Sequence, residues 1–369
     1  MNQQPGKLGI REFVSIAILM VGMKPTIDLP IALYKMVQSA GWMIPIITAG
    51  IFFIPLFLLL KTMMLFQSQN LFSVIQKLLG KYIGFFLCLF IFVLSSMVLS
   101  IDTRIHANII RTFYFTTTPT IFIYALLMLV CAYGAMKGIL HVGSVAYLLV
   151  YYIVLFLIIA LFLSFQAGNI QGMFPIWGLG KLEILKQSVF NLYIYLEFFL
   201  FTMLIPYVKS YKDFRKGTWF AYVYVCIQLS GAALVFICMF DTSLSGIGYP
   251  FHTAIRYLSL GSFLPNIEII FFVIWVLGAF IRFTAFLYIN SLMFGQIFKI
   301  KDFEYLIPSL AALYLLLGSI PETPFDVSLE LKPMLAHAVG PSFTFISILL
   351  WLTAWLKGEF KHAKNKETV

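Results

Sequence analysis

Four charged side chains fall inside long apolar stretches of the sequence, where a charge is costly. Lys24 and Asp28 lie one helical turn apart in the first stretch. Glu197 lies at the centre of the sixth and Arg282 near the middle of the eighth. An ionised side chain at the centre of a membrane helix costs about 2.5–3.5 kcal/mol on insertion scales. Together the two cations and two anions form a neutral set that needs an explanation.

Two interpretations of these charges are open. They can form buried ion pairs that only hold helices together, for example Lys24 with Asp28 at the i,i+4 spacing. Arg282 has no acidic residue within a turn on its own span, so Glu197 is its expected partner, through two parallel hydrogen bonds. Alternatively, they line a hydrated cavity and meet a small charged or zwitterionic ligand. The second interpretation is favoured because helix breakers lie beside Lys24.

Those breakers are Gly22, Pro25 and Pro30 in the first apolar stretch. Pro25 has no amide hydrogen and clashes with the preceding turn, so the backbone from Gly22 to Thr26 is predicted to kink or unwind. Lipid tolerates such a break only where the chain lines a cavity. The pattern therefore predicts a pocket at this point.

No other set of side chains points to catalysis or metal binding. The five histidines are scattered, and the four cysteines lie inside apolar stretches without close CxxC spacing. We find no nucleophile with a base and an orienting group, and no glycine-rich phosphate loop. The sequence therefore predicts no cofactor, no metal site and no enzymatic activity.

The composition shows which elements must position these residues. Of 369 residues, 61% are hydrophobic and 11% are charged, against roughly 25% charged in soluble domains. Apolar runs of about 20 residues can cross a ~30 Å hydrocarbon core as helices. We predict an all-α integral membrane protein with ten transmembrane spans at residues 10–36, 43–63, 82–112, 120–136, 142–165, 187–207, 218–240, 266–297, 303–319 and 340–356.

The ten spans suggest a single transmembrane domain made of two repeats of five. Repeat one covers about residues 10–165, repeat two about 187–356, and 357–369 form a tail. In transporters built of inverted repeats, the first helix of each repeat is discontinuous at the midplane. Spans 1 and 6 hold those positions. The centre of span 6, with Tyr195, Glu197 and Phe198, has no Gly or Pro before Pro206.

The basic residues predict the orientation. Sixteen of the 25 Lys and Arg residues fall on the side of the termini and seven on the opposite side, so both termini are expected in the cytoplasm. The net charge of +10 therefore reflects topology and not nucleic-acid binding. The basic tail is expected near anionic membrane lipid headgroups.

Several motifs occur in an order typical of one family. Span 1 ends in Leu29-Pro30 and Gly41-Trp42 follows; span 3 carries Asp102-Thr103-Arg104. Span 6 reads Tyr195-Leu196-Glu197, then Leu204-Ile205-Pro206 and a basic loop. In this order, with ten spans, the whole chain resembles the spore germination permease family, the B subunits of bacterial endospore germinant receptors, within the amino acid–polyamine–organocation superfamily. The family's glycine before the acidic residue of span 6 is absent here, and Lys24-Pro25 departs from its small-residue break.

The resemblance implies a five-plus-five inverted repeat with discontinuous helices 1 and 6. It implies a pocket between spans 1, 3, 6 and 8. The candidate ligand-binding residues are Gly22, Lys24, Pro25, Thr26, Asp28, Tyr195, Glu197, Phe198 and Arg282. It also implies germinant receptor A and C subunits as partners in the spore inner membrane.

The leading hypothesis is a nutrient-sensing subunit that binds a small germinant without chemical turnover. An amino acid is the expected germinant, or a nucleoside or sugar acting with one. A secondary amino acid transporter is the alternative, because it would use the same pocket. Uptake of labelled substrate by the protein alone would separate the two.

Overall fold

The computed structural model describes residues 6–257, 267–321, 323 and 326–361. Within these residues the chain is helical. The α-helices, numbered along the chain, are α1 (Ile10–Gly22), α2 (Leu29–Val37), α3 (Met43–Met64), α4 (Leu71–Leu79), α5 (Lys81–Phe113), α6 (Thr120–Met136), α7 (Ile139–Ala167), α8 (Lys181–Phe190), α9 (Leu196–Leu200), α10 (Tyr211–Phe240), α11 (Pro250–Tyr257), α12 (Ile267–Phe298), α13 (Ile307–Ser319) and α14 (Lys332–Leu356).

The ten predicted spans can all be found among these helices. Six of them, α3, α5, α7, α10, α12 and α14, are long and apolar enough to cross a membrane. Two bent pairs, Ile10–Thr26 with Leu29–Ala40 and Lys181–Phe190 with Leu192–Tyr207, correspond to spans 1 and 6. Two shorter apolar helices, Thr120–Met136 and Phe303–Ser319, correspond to spans 4 and 9. The division into repeats at about residues 165 and 187 stays a prediction.

Lipid exposure explains the composition of the outer helices. On α7, Leu148, Leu155 and Phe162 recur every seven residues and are 64%, 53% and 59% exposed. This spacing places them on one side of the helix. The opposite side of α7, with Ala146 and Ile153, is buried against neighbouring helices. The inner helices α1 and α12 contact each other and both contact α7, so they form the centre of the bundle.

Several helix boundaries differ from those expected. The last span begins at Lys332 and not at 340, and Pro333 stands in its first turn, where a missing amide is tolerated. The seventh span begins at Tyr211 and not at 218, and Ser210 caps it by accepting a hydrogen bond from Asp213 N at 3.0 Å. Of the predicted tail, residues 362–369 lie outside the described residues.

Candidate functional site

Span 1 is broken at the position that Pro25 predicts. Helix α1 ends at Gly22, a short 3₁₀ turn covers Lys24–Thr26, and α2 begins at Leu29 after a bend of 58°. Two carbonyls near the break are satisfied by side chains of other helices. Met20 O accepts from Arg282 Nη1 at 2.5 Å, and Gly22 O accepts from Gln228 Nε2 at 2.9 Å. The break is therefore held by α12 and α10.

Span 6 is broken as well, although its centre contains neither Gly nor Pro. A 3₁₀ turn at Leu192–Tyr195 separates α8 from α9, and the two parts are bent by 50°. Lys24 Nζ donates to Ile194 O at 2.6 Å and to Tyr193 O at 3.5 Å. A Cβ added to Gly340 of α14 would lie 2.8 Å from Tyr193 N. The lysine and the close approach of α14 therefore stabilise this break.

Six charged side chains meet between the two breaks and form one ion-pair chain. Each cation contacts a carboxylate, and each carboxylate contacts a cation. In order of contact, the members are Lys24, Glu197, Arg282, Asp102, Lys332 and Asp28. Three cations and three carboxylates make the chain neutral. Both of its ends, Lys24 and Asp28, lie in the break of span 1.

The contact distances divide the ion-pair chain into tight and loose links. The tight links are Lys24–Glu197 at 2.7 Å, Arg282–Asp102 at 2.6 Å and Lys332–Asp28 at 2.5 Å. The loose links are Arg282–Glu197 at 3.5 Å and Lys332–Asp102 at 3.7 Å. The ion-pair chain thus consists of three hydrogen-bonded pairs that are joined by weaker electrostatic contacts.

Burial differs along the ion-pair chain. The side chains of Arg282 and Glu197 are 0% exposed, whereas that of Lys332 is 18% exposed. Buried charges are tolerated only when each is paired and hydrogen-bonded. We call the three charges that meet at Glu197, namely Lys24, Glu197 and Arg282, the deep part, and the three that meet at Lys332, namely Lys332, Asp28 and Asp102, the outer part. Lys332 is the most exposed of the six charges and sits at the start of α14.

A cavity of about 30 Å³ lies against the ion-pair chain, which is room for roughly two water molecules. Five of the six charges line it, namely Lys24, Asp28, Asp102, Glu197 and Lys332. The rest of its wall is mostly apolar and includes Ile27, Leu29, Val98, Leu196, Leu335 and Val339. A small polar molecule with an apolar part matches such a lining.

The predicted site residues fall into three groups. Lys24, Asp28 and Glu197 line the cavity, and Arg282 stands behind it in contact with two carboxylates. Gly22 and Pro25 shape the break of span 1 without lining the cavity. The last group, Thr26, Tyr195 and Phe198, points elsewhere.

The contacts of that last group show where its side chains go. Thr26 Oγ1 accepts from Trp275 Nε1 at 2.8 Å, on a side of the break covered by aromatic residues. The Tyr195 hydroxyl donates to Pro45 O at 2.9 Å. Phe198 packs edge-to-face on Tyr222, with 5.1 Å between ring centroids. These three residues therefore have packing and positioning roles in this structure.

One expected pairing is wrong, and the other is found only as a loose contact. Lys24 pairs with Glu197 and not with Asp28, because the 3₁₀ turn between Lys24 and Asp28 destroys the regular i,i+4 geometry. Arg282 does not form two parallel hydrogen bonds with Glu197, although the two charges lie 3.5 Å apart. Its Nη1 donates to Met20 O and its Nη2 to Asp102 Oδ2, which turns the guanidinium toward these two acceptors and leaves only a loose ion-pair contact between Nη2 and Glu197 Oε1.

Two members of the ion-pair chain are missing from the predicted site. Asp102 was visible in the Asp-Thr-Arg motif and lies well inside α5, which continues to Phe113. Lys332 lies outside the predicted spans, because the last of them is predicted to begin at residue 340. Among the residues that the structure describes, no group of three or more His, Cys, Asp or Glu side chains could hold a metal ion.

Comparisons with known proteins agree with this fold and show the family. The chain is 26% identical over 278 residues to spore germination protein KB of Bacillus subtilis (strain 168), which covers 72% of this chain and 73% of that protein. It is 20% identical over 325 residues to spore germination protein B2 of the same organism, covering 87% and 88% respectively.

Among solved structures, the fold is similar to that of MhsT in complex with L-phenylalanine. The TM-score is 0.65 at 17% sequence identity, and the match covers 93% of this chain and 88% of the other. This likeness establishes the inverted-repeat transporter-like fold with broken first and sixth spans. A family model described as spore germination protein matches residues 10–327, so this chain belongs to the spore germination protein family.

Proposed function

We propose that this chain is the nutrient-sensing subunit of a spore germinant receptor and binds a small zwitterionic nutrient, such as an amino acid, beside the ion-pair chain. The family and the fold are those of a membrane receptor or permease and not of an enzyme. The observation that carries the proposal is the neutral, alternating arrangement of six charges where the two helix breaks meet.

Charge balance is the reason why a zwitterion fits. Its ammonium can face carboxylates and its carboxylate can face cations, so the site stays neutral after binding. A ligand with a net charge would leave one buried charge uncompensated, which is costly in a region of low dielectric constant. The apolar wall, including Val98, Leu335 and Val339, would receive an aliphatic side chain.

The size of the cavity adds a condition for binding. At about 30 Å³ it is much smaller than the roughly 300 Å³ at the lower end of ligand pockets. A nutrient therefore enters only when part of the lining moves. Lys332 is the most exposed of the six charges and is the first residue of α14, so we expect this end of the site to move.

The proposal includes partners and a location. By the family resemblance, the subunit acts with germinant receptor A and C subunits in the spore inner membrane. The sixteen-to-seven distribution of basic residues supports cytoplasmic termini. Leu8 and Val208 form a short bridge, with Leu8 N donating to Tyr207 O at 2.8 Å, so the N-terminal segment and the end of span 6 share one side.

The test is the dose-response of spores that carry Glu197→Gln. This substitution removes one carboxylate and leaves the site with a net positive charge. We expect the nutrient concentration for half-maximal germination to rise at least about tenfold, equal to about 1.4 kcal/mol of lost binding energy. Subunit abundance in the spores must be measured alongside, to separate binding from stability.

Glu183→Gln is the matched control, because Glu183 lies outside the ion-pair chain and contacts Lys186 and Gln187 on its own helix. If Glu197→Gln and Glu183→Gln spores respond alike at equal subunit abundance, the cavity is not the nutrient site.

A secondary amino acid transporter is the second candidate, and the likeness to MhsT with its bound L-phenylalanine favours it. Reconstituted into vesicles by itself, a transporter would accumulate labelled amino acid, whereas a receptor subunit would bind it without accumulation.

A further inference from the structure

We propose that the Lys24 ammonium is a built-in cation, which fills an oxygen-lined cation site at the break of span 6. Neither a dissolved cation nor the amino group of a ligand is then needed at that position. The proposal concerns the same cavity as the proposed function and rests on it only for the consequence for ligand recognition.

The surroundings of Lys24 Nζ carry this inference. Three oxygen atoms face the ammonium, namely Glu197 Oε2 at 2.7 Å, Ile194 O at 2.6 Å and Tyr193 O at 3.5 Å. Two of these are main-chain carbonyls of the 3₁₀ turn that interrupts span 6. Lys24 itself is only 8% exposed.

This oxygen set has the chemistry of a site for a small monovalent cation. An ammonium carries three donors and no acceptor, which suits three converging oxygens. Carbonyls at a helix break carry partial negative charge and must be satisfied in the membrane. Without a cation, the buried Glu197 carboxylate would keep only the loose contact to Arg282 at 3.5 Å. The site therefore requires a positive charge.

The position of Lys24 makes that charge permanent. The lysine belongs to the break of span 1 and reaches across to the break of span 6 on its own side chain. A tethered group binds at a high effective concentration, so its occupancy does not depend on the ions in solution. The two discontinuous spans are thereby linked to each other through one ammonium.

The consequence for recognition is a division of the cavity. Because the deep part is already occupied, the ammonium of a zwitterionic nutrient would have to bind at the outer part. Asp28 and Asp102 are the carboxylates there, and both contact Lys332. The nutrient's amino group would thus compete with Lys332, and at Asp102 also with Arg282, but not with Lys24.

The test uses Lys24→Ala, which removes the ammonium and opens space for a small amine. Purified protein in detergent is unfolded thermally in methylammonium chloride and, at equal ionic strength, in tetramethylammonium chloride, which has no N–H donor. We expect methylammonium to raise the Tm of Lys24→Ala by at least about 2 °C over tetramethylammonium and to leave the wild type unchanged.

Lys24→Met is the matched control, because methionine fills the space without a charge and leaves no room for the amine. An equal Tm in both salts for Lys24→Ala, or the same shift in Lys24→Met, would overturn the proposal. Should Lys24→Ala not be recovered under ordinary conditions, it is purified in methylammonium chloride and, in parallel, in tetramethylammonium chloride. Recovery in methylammonium alone would support the cation site, and recovery in neither salt or equally in both would count against it.

The measurement needs no nutrient, so its outcome is independent of the germination assay. A methylammonium shift together with an unchanged Glu197→Gln dose-response would support the cation site and reject the nutrient site.

Discussion

Arg282 is expected to couple more strongly to Asp102 than to Glu197, and the two contacts give the size of the difference. Its Nη2 lies 2.6 Å from Asp102 Oδ2 and 3.5 Å from Glu197 Oε1. At an effective dielectric constant of about 20, these separations correspond to roughly 6 and 5 kcal/mol of gross attraction. Only the first contact is also a hydrogen bond, which adds about 1.5–3 kcal/mol between charged groups.

Desolvation offsets much of this attraction, so the measurable coupling is smaller. We expect coupling energies of about 2–3 kcal/mol for Arg282 with Asp102 and about 1 kcal/mol for Arg282 with Glu197. Each single substitution should be costly, on the order of 3–5 kcal/mol, because it strands a buried charge.

The assay is a pair of double-mutant cycles on the free energy of unfolding, measured on purified protein in mixed detergent micelles. One cycle combines Arg282→Gln with Asp102→Asn, and the other combines Arg282→Gln with Glu197→Gln. A third cycle with Glu183→Gln is the control and should be additive within about 0.5 kcal/mol. Equal coupling in the first two cycles, or a larger value for Glu197, would refute the assignment of Asp102 as the main partner.

Three further predictions address packing and topology. Gly340→Ala should destabilise the protein by about 1–3 kcal/mol in thermal unfolding, because the new methyl group would lie 2.8 Å from Tyr193 N. Gly231→Ala is the control and should be neutral or stabilising, because its methyl group meets no atom within 4 Å. Tyr124→Phe should cost about 1–3 kcal/mol in the same assay, because it leaves a buried carbonyl of α13 without the hydrogen bond it accepts at 2.8 Å. A cysteine at Lys7, which is exposed, should react with an impermeant thiol reagent only after the membrane is opened; labelling from outside would contradict the orientation.

Part of the site could be predicted from the sequence alone, because a proline or a charged residue affects the helical turn in which it lies. Pro25 lacks an amide hydrogen wherever it is placed, so the break of span 1 follows from its position. Lys24, Asp28, Glu197 and Arg282 had to be compensated because each lies in an apolar span.

The break of span 6 could not be derived in this way. No Gly or Pro lies between Asn191 and Tyr195, and the turn is stabilised by Lys24 and by the approach of Gly340 from α14. Both contacts join residues that are more than 140 positions apart in the chain, and they exist only after the helices have packed. Sequence analogy to inverted repeats predicted that a break would occur here but not what holds it.

Composition and hydropathy by themselves determined that this is a helical membrane protein, approximately where its spans lie and that its buried charges must balance, because these follow from the cost of placing polar groups in lipid. The tertiary structure alone decided the pairing. Which cation meets which carboxylate depends on the rotation and depth of each helix, and these are set by packing. For that reason Asp102 and Lys332 complete the ion-pair chain, and Lys24 reaches Glu197 and not Asp28.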